Sequence, residues 1–220
     1  MHNTVKNLLD IKDNIKNYLN KLNINNNPKI IAVSKTFEIN KILPLIKYGH
    51  VDFGENKVQE ALHKWSDIKK KKSDINLHMI GKLQSNKAKE AVNLFDYIHS
   101  VDTPKLAGLI SKFEISLNKK LKHFIQVNIG NENQKNGIRI EELDNFFNYC
   151  SRDLNLDIIG LMAIPPNDGK QNLHFKHLME LNDSLGLKEL SIGMSGDFKI
   201  AIKYKATFVR IGSAIFGNRN

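Results

Sequence analysis

Eight short apolar runs with strand character alternate with eight amphipathic stretches along this chain. That order restricts its possible folds more than any other feature, because strands separated by helices return in the same direction and build a parallel sheet with right-handed crossovers. Residues 30–34, 51–53, 77–80, 97–101, 123–129, 158–163, 190–192 and 207–211 read as strands. Residues 39–48, 57–65, 86–94, 103–117, 140–150, 173–185, 196–204 and a short segment from 213 read as the helices that follow them. Ahead of this series, Val5, Leu8, Leu9, Ile11, Ile15 and Leu19 recur at helical spacing over residues 3–22, and Asn25-Asn26-Asn27-Pro28 ends that helix.

Eight strand–helix units are the number that closes a (β/α)8 TIM barrel, and 220 residues lie near the low end of its size range. An open doubly wound sheet is the alternative. Its nucleotide-binding forms lose support because no G-x-G-x-x-G follows the first strand and no G-x-x-x-x-G-K-[ST] occurs. Without a repeat, a low-complexity linker or a composition break, residues 1–220 are expected to form one domain.

Composition excludes less. With 41% hydrophobic and 25% charged residues the chain has an ordinary globular mixture. No apolar run approaches the roughly 18 residues that span a bilayer, and Met1-His2-Asn3-Thr4 opens onto a Lys- and Asn-rich segment rather than a signal core. Cys150 is the single cysteine, which fits a reducing cytoplasm. The net charge of +10 could mark a nucleic-acid binder, but the lysines are dispersed, as a compositional bias would leave them. The densest run, residues 69–72, reads as a solvated loop between elements. A cytoplasmic protein with no nucleic-acid or membrane partner is expected.

Ligands of a parallel barrel bind at the C-terminal mouth, so polar residues late in strands are the candidates. Lys35 follows Ile31 and Val33 at period two at the end of the first strand. It is either a solvent lysine or a desolvated amine able to form a Schiff base. The loops after strands seven and eight read Gly193-Met194-Ser195-Gly196 and Gly212-Ser213-Ala214, with small residues and hydroxyls suited to an anion or simply to capping helices. Arg210, between Val209 and Ile211, needs a partner if buried, from the protein or from a ligand. Asn56, His78, Gln126, Met162 and Lys135 are weaker candidates. No Cys/His set has zinc spacing, no acidic set suits a hard metal, and no Ser/His/Asp triad is supported.

A lysine, two phosphate-type loops and an arginine suit a phosphorylated aldehyde. Pyridoxal 5′-phosphate (PLP), whose ring nitrogen also needs a partner, and a sugar phosphate in a Schiff-base aldolase both fit.

Further segments carry a family resemblance. They are residues 31–36, the DFGEN segment 52–56 with Val58-Gln59-Glu60, residues 78–87, 98–102, 126–128, 135–138 and 160–162, then SIGMSGDF over 191–198 and VRIGSAIFG over 209–217. In order, from about residue 29 to 219, they resemble the pyridoxal phosphate homeostasis proteins (the YggS/PROSC family). The resemblance implies a PLP-binding (β/α)8 barrel like that of alanine racemase, with Lys35 in Schiff-base linkage to PLP. It implies phosphate contacts from Ser195, Gly212, Ser213 and the Met194 backbone. Arg210 would face the pyridine nitrogen, Asn56 and Met162 would line the ring, and Lys135 matches a lysine connected with secondary PLP contact or transfer. Leu77, Lys82 and Ser213 depart from the commoner residues, a tryptophan, a histidine or proline, and a threonine.

The same resemblance implies a monomeric PLP buffer that delivers its cofactor to apo-enzymes. An amino-acid racemase is the enzymatic alternative. It needs a protonated pyridine and a second acid or base, whereas a permanent cation at Arg210 opposes the first and the chain leaves no length for a second domain to bring the other.

Overall fold

The computed structural model describes residues 1–132 and 136–217. The strands are β1 (Lys29–Val33), β2 (Asp52–Glu55), β3 (Asn76–Met79), β4 (Tyr97–Val101), β5 (Lys122–Gln126), β6 (Asp157–Met162), β7 (Glu189–Met194) and β8 (Phe208–Ile211). They pair in sequence order, all parallel, and β8 returns to β1, closing the barrel. The helices are α1 (Asn3–Leu22), α2 (Ile39–Lys47), α3 (Val58–Lys71), α4 (Ala88–Leu94), α5 (Pro104–Leu117), α6 (Leu143–Asn148), α7 (Gln171–Ser184), α8 (Phe198–Lys203) and α9 (Ser213–Phe216). Among the described residues this is the eight-unit barrel with a leading helix that the alternation implies.

Two cores hold it together. The larger lies between sheet and helices and takes the outward strand residues such as Ala32, Phe53 and Leu77 together with Leu8, Leu45 and Trp65 from the helices. The smaller fills the barrel interior with Ile31, Tyr97, Phe124, Met162 and Phe208. Period-two alternation thus divides β1, β4, β5, β6 and β8 between the two cores. Helix α1 seals the outside near the chain's end, where Asn7 Nδ2 donates to Ile215 O at 2.9 Å.

Helix α3 runs six residues beyond the expected end at Trp65. Residues 69–71 are its last turn rather than a loop, so that expectation is corrected. Val58, Ala61 and Trp65 are buried and Ile68 packs against them, continuing the apolar stripe into the lysine run. Lys69 also pairs with Asp96, whose carboxylate accepts the Leu77 N–H. The helix expected over 140–150 begins as a 3-10 turn over Ile140–Glu142, continues as α6, and widens to a π turn over Tyr149–Asp153. No helix among the described residues is long and apolar enough to cross a membrane.

Candidate functional site

A cleft of about 770 Å³ opens at the C-terminal mouth. Lys35, Asn56, Met194, Ser195, Arg210, Gly212 and Ser213 all line it, together with Val33, Phe37, Ile80, Ile164, Gly196 and Gly217. These residues come from the ends of strands scattered along the chain and meet because barrel closure brings β8 beside β1.

Met162 lies elsewhere. Its side chain is fully buried in the barrel interior with Phe124 and Phe208, below the cleft. Ile164, two residues further along, is the β6-side residue that reaches the lining. Gln126 is buried at the end of β5, with Nε2 donating to Asn136 O at 3.4 Å, and Lys135 lies outside the described residues.

Lys35 is half-buried just past β1. The backbone around it is fixed from behind. Thr36 has φ of 67°, a left-handed conformation costly for a β-branched residue, and its N–H donates to Glu60 Oε1. Lys64 Nζ donates to Ser34 O at 2.8 Å, to Glu55 Oε1 at 2.9 Å and to Glu60 Oε1 at 3.0 Å. Glu55 Oε1 also accepts from Ser34 Oγ at 2.7 Å and from Trp65 Nε1 at 2.9 Å. Burial raises the Glu60 pKa, but the Thr36 N–H and Lys64 outweigh it and leave the carboxyl below its ordinary value. Glu55 and Lys64 therefore set the segment that carries Lys35, and neither stood out from the sequence as a site residue.

Asn56 is pinned by Gly81. A Cβ at residue 81 would stand 2.5 Å from Asn56 O and 2.8 Å from its Cα, so glycine alone permits this approach. Gly193 plays a similar part in the first small-residue loop. Its φ is +90°, and a Cβ there would meet Ala201 Cβ at 2.6 Å. The turn it allows brings Ser195 to the second loop, where Gly212 N and Ala214 N point at Ser195 Oγ at 3.3 and 3.4 Å. These long contacts show two backbone donors converging on one oxygen position at the lip of the cleft.

Arg210 is 4% exposed. Its Nη1 donates to Ser191 O at 2.6 Å and to Ser191 Oγ at 2.7 Å, and Nη2 to Ala163 O at 2.9 Å. These acceptors are neutral. Burial lowers the pKa to about 10, partly offset by Asp197, and the group stays charged at neutral pH. A guanidinium has five N–H donors, so one Nη2–H and the Nε–H remain beyond these three bonds. A buried cation with spare donors on a cleft suits an acceptor atom supplied by a ligand. Lys35 and Arg210 are the ionisable side chains in the described lining, and no cluster of described residues could hold a metal ion.

This geometry has relatives. Residues 7–220 match the family described as alanine racemase, N-terminal domain. The chain is 38% identical over 200 residues to a pyridoxal phosphate homeostasis protein of Aquifex aeolicus, covering 87% of each chain. It is 36% identical to the protein of that name from Buchnera aphidicola, covering 100% of this chain and 99% of the other. Among solved structures it resembles PipY of Synechococcus elongatus with PLP bound, with a TM-score of 0.81 and 32% identity over 92% of this chain and 100% of that one. An alanine racemase of Clostridium difficile shares the fold at a TM-score of 0.75 and 16% identity, with 99% of this chain matching 57% of the racemase.

Proposed function

The chain belongs to the pyridoxal phosphate homeostasis protein family, and we propose from that premise that it binds PLP in the mouth cleft, buffers it and passes it to apo-enzymes. The observation that carries this reading is the meeting of Lys35, Arg210 and the Ser195–Gly212–Ser213 lip in one cleft.

The lip seats the phosphate. Gly212 N and Ala214 N, which donate to Ser195 Oγ in this structure, would turn to it together with the hydroxyls of Ser195 and Ser213, with the Met194 backbone beside them. PLP supplies an aldehyde at the cleft. A neutral Lys35 amine would take the place of the aldehyde oxygen, which would leave as water, in a bond reversible by hydrolysis. Arg210 would offer a remaining donor to the ring nitrogen and Asn56 would border the ring. A fixed positive charge beside that nitrogen disfavours its protonation, which weakens the ring as an electron sink. Lys35 and Arg210 are the ionisable side chains of the described lining, and Arg210 stays charged at neutral pH, so holding and releasing PLP is the chemistry the cleft favours, rather than racemisation. The carrier acts as a monomer in the cytoplasm in this reading.

The test is the absorbance spectrum of the purified protein before and after addition of PLP. A band of lysine-linked PLP is expected, and it should disappear in Lys35→Ala. No band in the unsubstituted protein would overturn the proposal, and rapid alanine racemisation would overturn its carrier part.

A further inference from the structure

The barrel interior contains a chain of hydrogen bonds that begins at Arg210 and leads away from the cleft. Arg210 Nη1 reaches Ser191 Oγ at 2.7 Å. Ser191 Oγ lies 2.9 Å from His99 Nδ1, His99 Nε2 lies 3.0 Å from His78 Nδ1, and His78 Nε2 lies 3.1 Å from Asp52 Oδ1. Five strands contribute one residue each. Asp52, the first residue of β2, borders a second cleft of about 620 Å³ lined by Pro28, Lys29 and Gly49, at the strand starts opposite the mouth. The chain thus runs the length of the barrel.

Its proton order follows from its two ends. A guanidinium can only donate, so Ser191 Oγ accepts from it, and a carboxylate can only accept. Burial favours neutral rings, because desolvation holds His78 below its ordinary pKa and His99 well below it. With both imidazoles neutral, each bond can be made in one direction only: Ser191 donates to His99 Nδ1, His99 Nε2–H to His78 Nδ1, and His78 Nε2–H to Asp52. All the bonds then point from Arg210 to Asp52. The rings cannot turn freely. His78 stacks on Tyr97 and His99 on Phe124, each with centroids 4.3 Å apart, and Phe208 packs against both histidines.

We propose that Ser191, His99, His78 and Asp52 are positioning residues that act through Arg210 on the ring nitrogen of the bound ligand. Their fixed proton order keeps Ser191 an acceptor toward the guanidinium, which sets its plane and leaves its unspent donors aimed into the cleft. This rests on the PLP reading of the cleft.

Two measurements test it separately from that reading. Imidazole 15N NMR of the ligand-free protein at neutral pH reads the proton order, and His78 and His99 should both be neutral with the proton on Nε2. In Ser191→Ala the His99 Nδ1 resonance should move as its donor is lost. Ligand titration then compares PLP with its analogue carrying carbon in place of the ring nitrogen. Ser191→Ala should raise the PLP Kd about five-fold, the loss expected for one hydrogen-bond contribution, and change the Kd of the analogue much less. Asp52→Asn, at the far end, should weaken PLP selectively in the same direction, which guards against a local defect at Ser191. Equal weakening of both ligands, weakening of neither, or a proton on Nδ1 of either histidine would overturn the proposal. If the unsubstituted protein binds neither ligand, the PLP reading falls and the positioning role falls with it, while the NMR still decides the proton order.

Discussion

Replacing Lys64 by methionine tests whether the segment bearing Lys35 is held from behind. Methionine keeps most of the stem and removes the ammonium group, whose three acceptors are Ser34 O, Glu55 Oε1 and Glu60 Oε1. The Lys64 side chain is 8% exposed and that of Glu55 is 0%, so the lost partner leaves a carboxylate in the interior. Removing one member of a buried pair costs about 3–5 kcal/mol. Glu60 is partly solvated and needs less compensation, so the lower end, about 3 kcal/mol, is expected. For a chain of this size that lowers Tm by roughly 6–12 °C. Equilibrium urea unfolding at pH 7 measures it as a lower midpoint at unchanged slope. Glu55→Gln combined with Lys64→Met should lose less than the two single losses added, because an amide leaves no charge uncompensated. PLP affinity should fall as well, since Ser34 and Thr36 flank Lys35. A loss below about 1 kcal/mol, as at an exposed pair, would refute the reasoning.

Other outcomes follow from single contacts. Burial lowers the His50 pKa from 6.5 to about 4 despite the opposing pull of Asp52, so the unfolded chain binds its proton first. Its contribution, about 3 kcal/mol, is complete above pH 6.5 and is lost as pH falls toward 4. Urea midpoints should drop across that window, less steeply in His50→Gln, and equal slopes would remove His50 from the account. Ser195→Ala should weaken PLP about five-fold while leaving pyridoxal, which has no phosphate, nearly unchanged; equal effects in titration would move the phosphate off this lip. Gly81→Ala should cost about 1–3 kcal/mol in urea unfolding and weaken PLP through displaced Asn56, and a neutral result would show that the 2.5 Å approach relaxes freely. Cys150 is buried with its thiol pushed up to about 12, so it should resist alkylation until the protein unfolds, as mass spectrometry would show.

The barrel was legible because its signal is local. Each apolar run and each amphipathic stretch announces its own type, and α1 falls on residues 3–22 as its spacing indicates. The position of Lys35 in the lining followed from counting Ile31, Val33, Lys35 inward at period two. Height within the barrel is a different kind of information. It depends on the stagger of all eight strands, so the sequence alone does not tell that Met162 sits inside the barrel beneath the mouth while Ile164 reaches the lining. The Glu55–Lys64 pair, nine residues apart, arises only when α3 packs on β2. Likewise, Ser191 and His99 are 92 residues apart and meet only across the closed barrel. The end of α3 had a readable signal in Ile68, hidden by the lysines around it.

The central claim is that Lys35 anchors PLP, and borohydride reduction of the PLP-treated protein tests it most directly. Reduction makes the link permanent, and peptide mass mapping then locates the pyridoxyl group. The account predicts stoichiometric label on the peptide containing Lys35, absent from that position in Lys35→Ala. Label spread over surface lysines, or concentrated on a lysine other than Lys35, would contradict it.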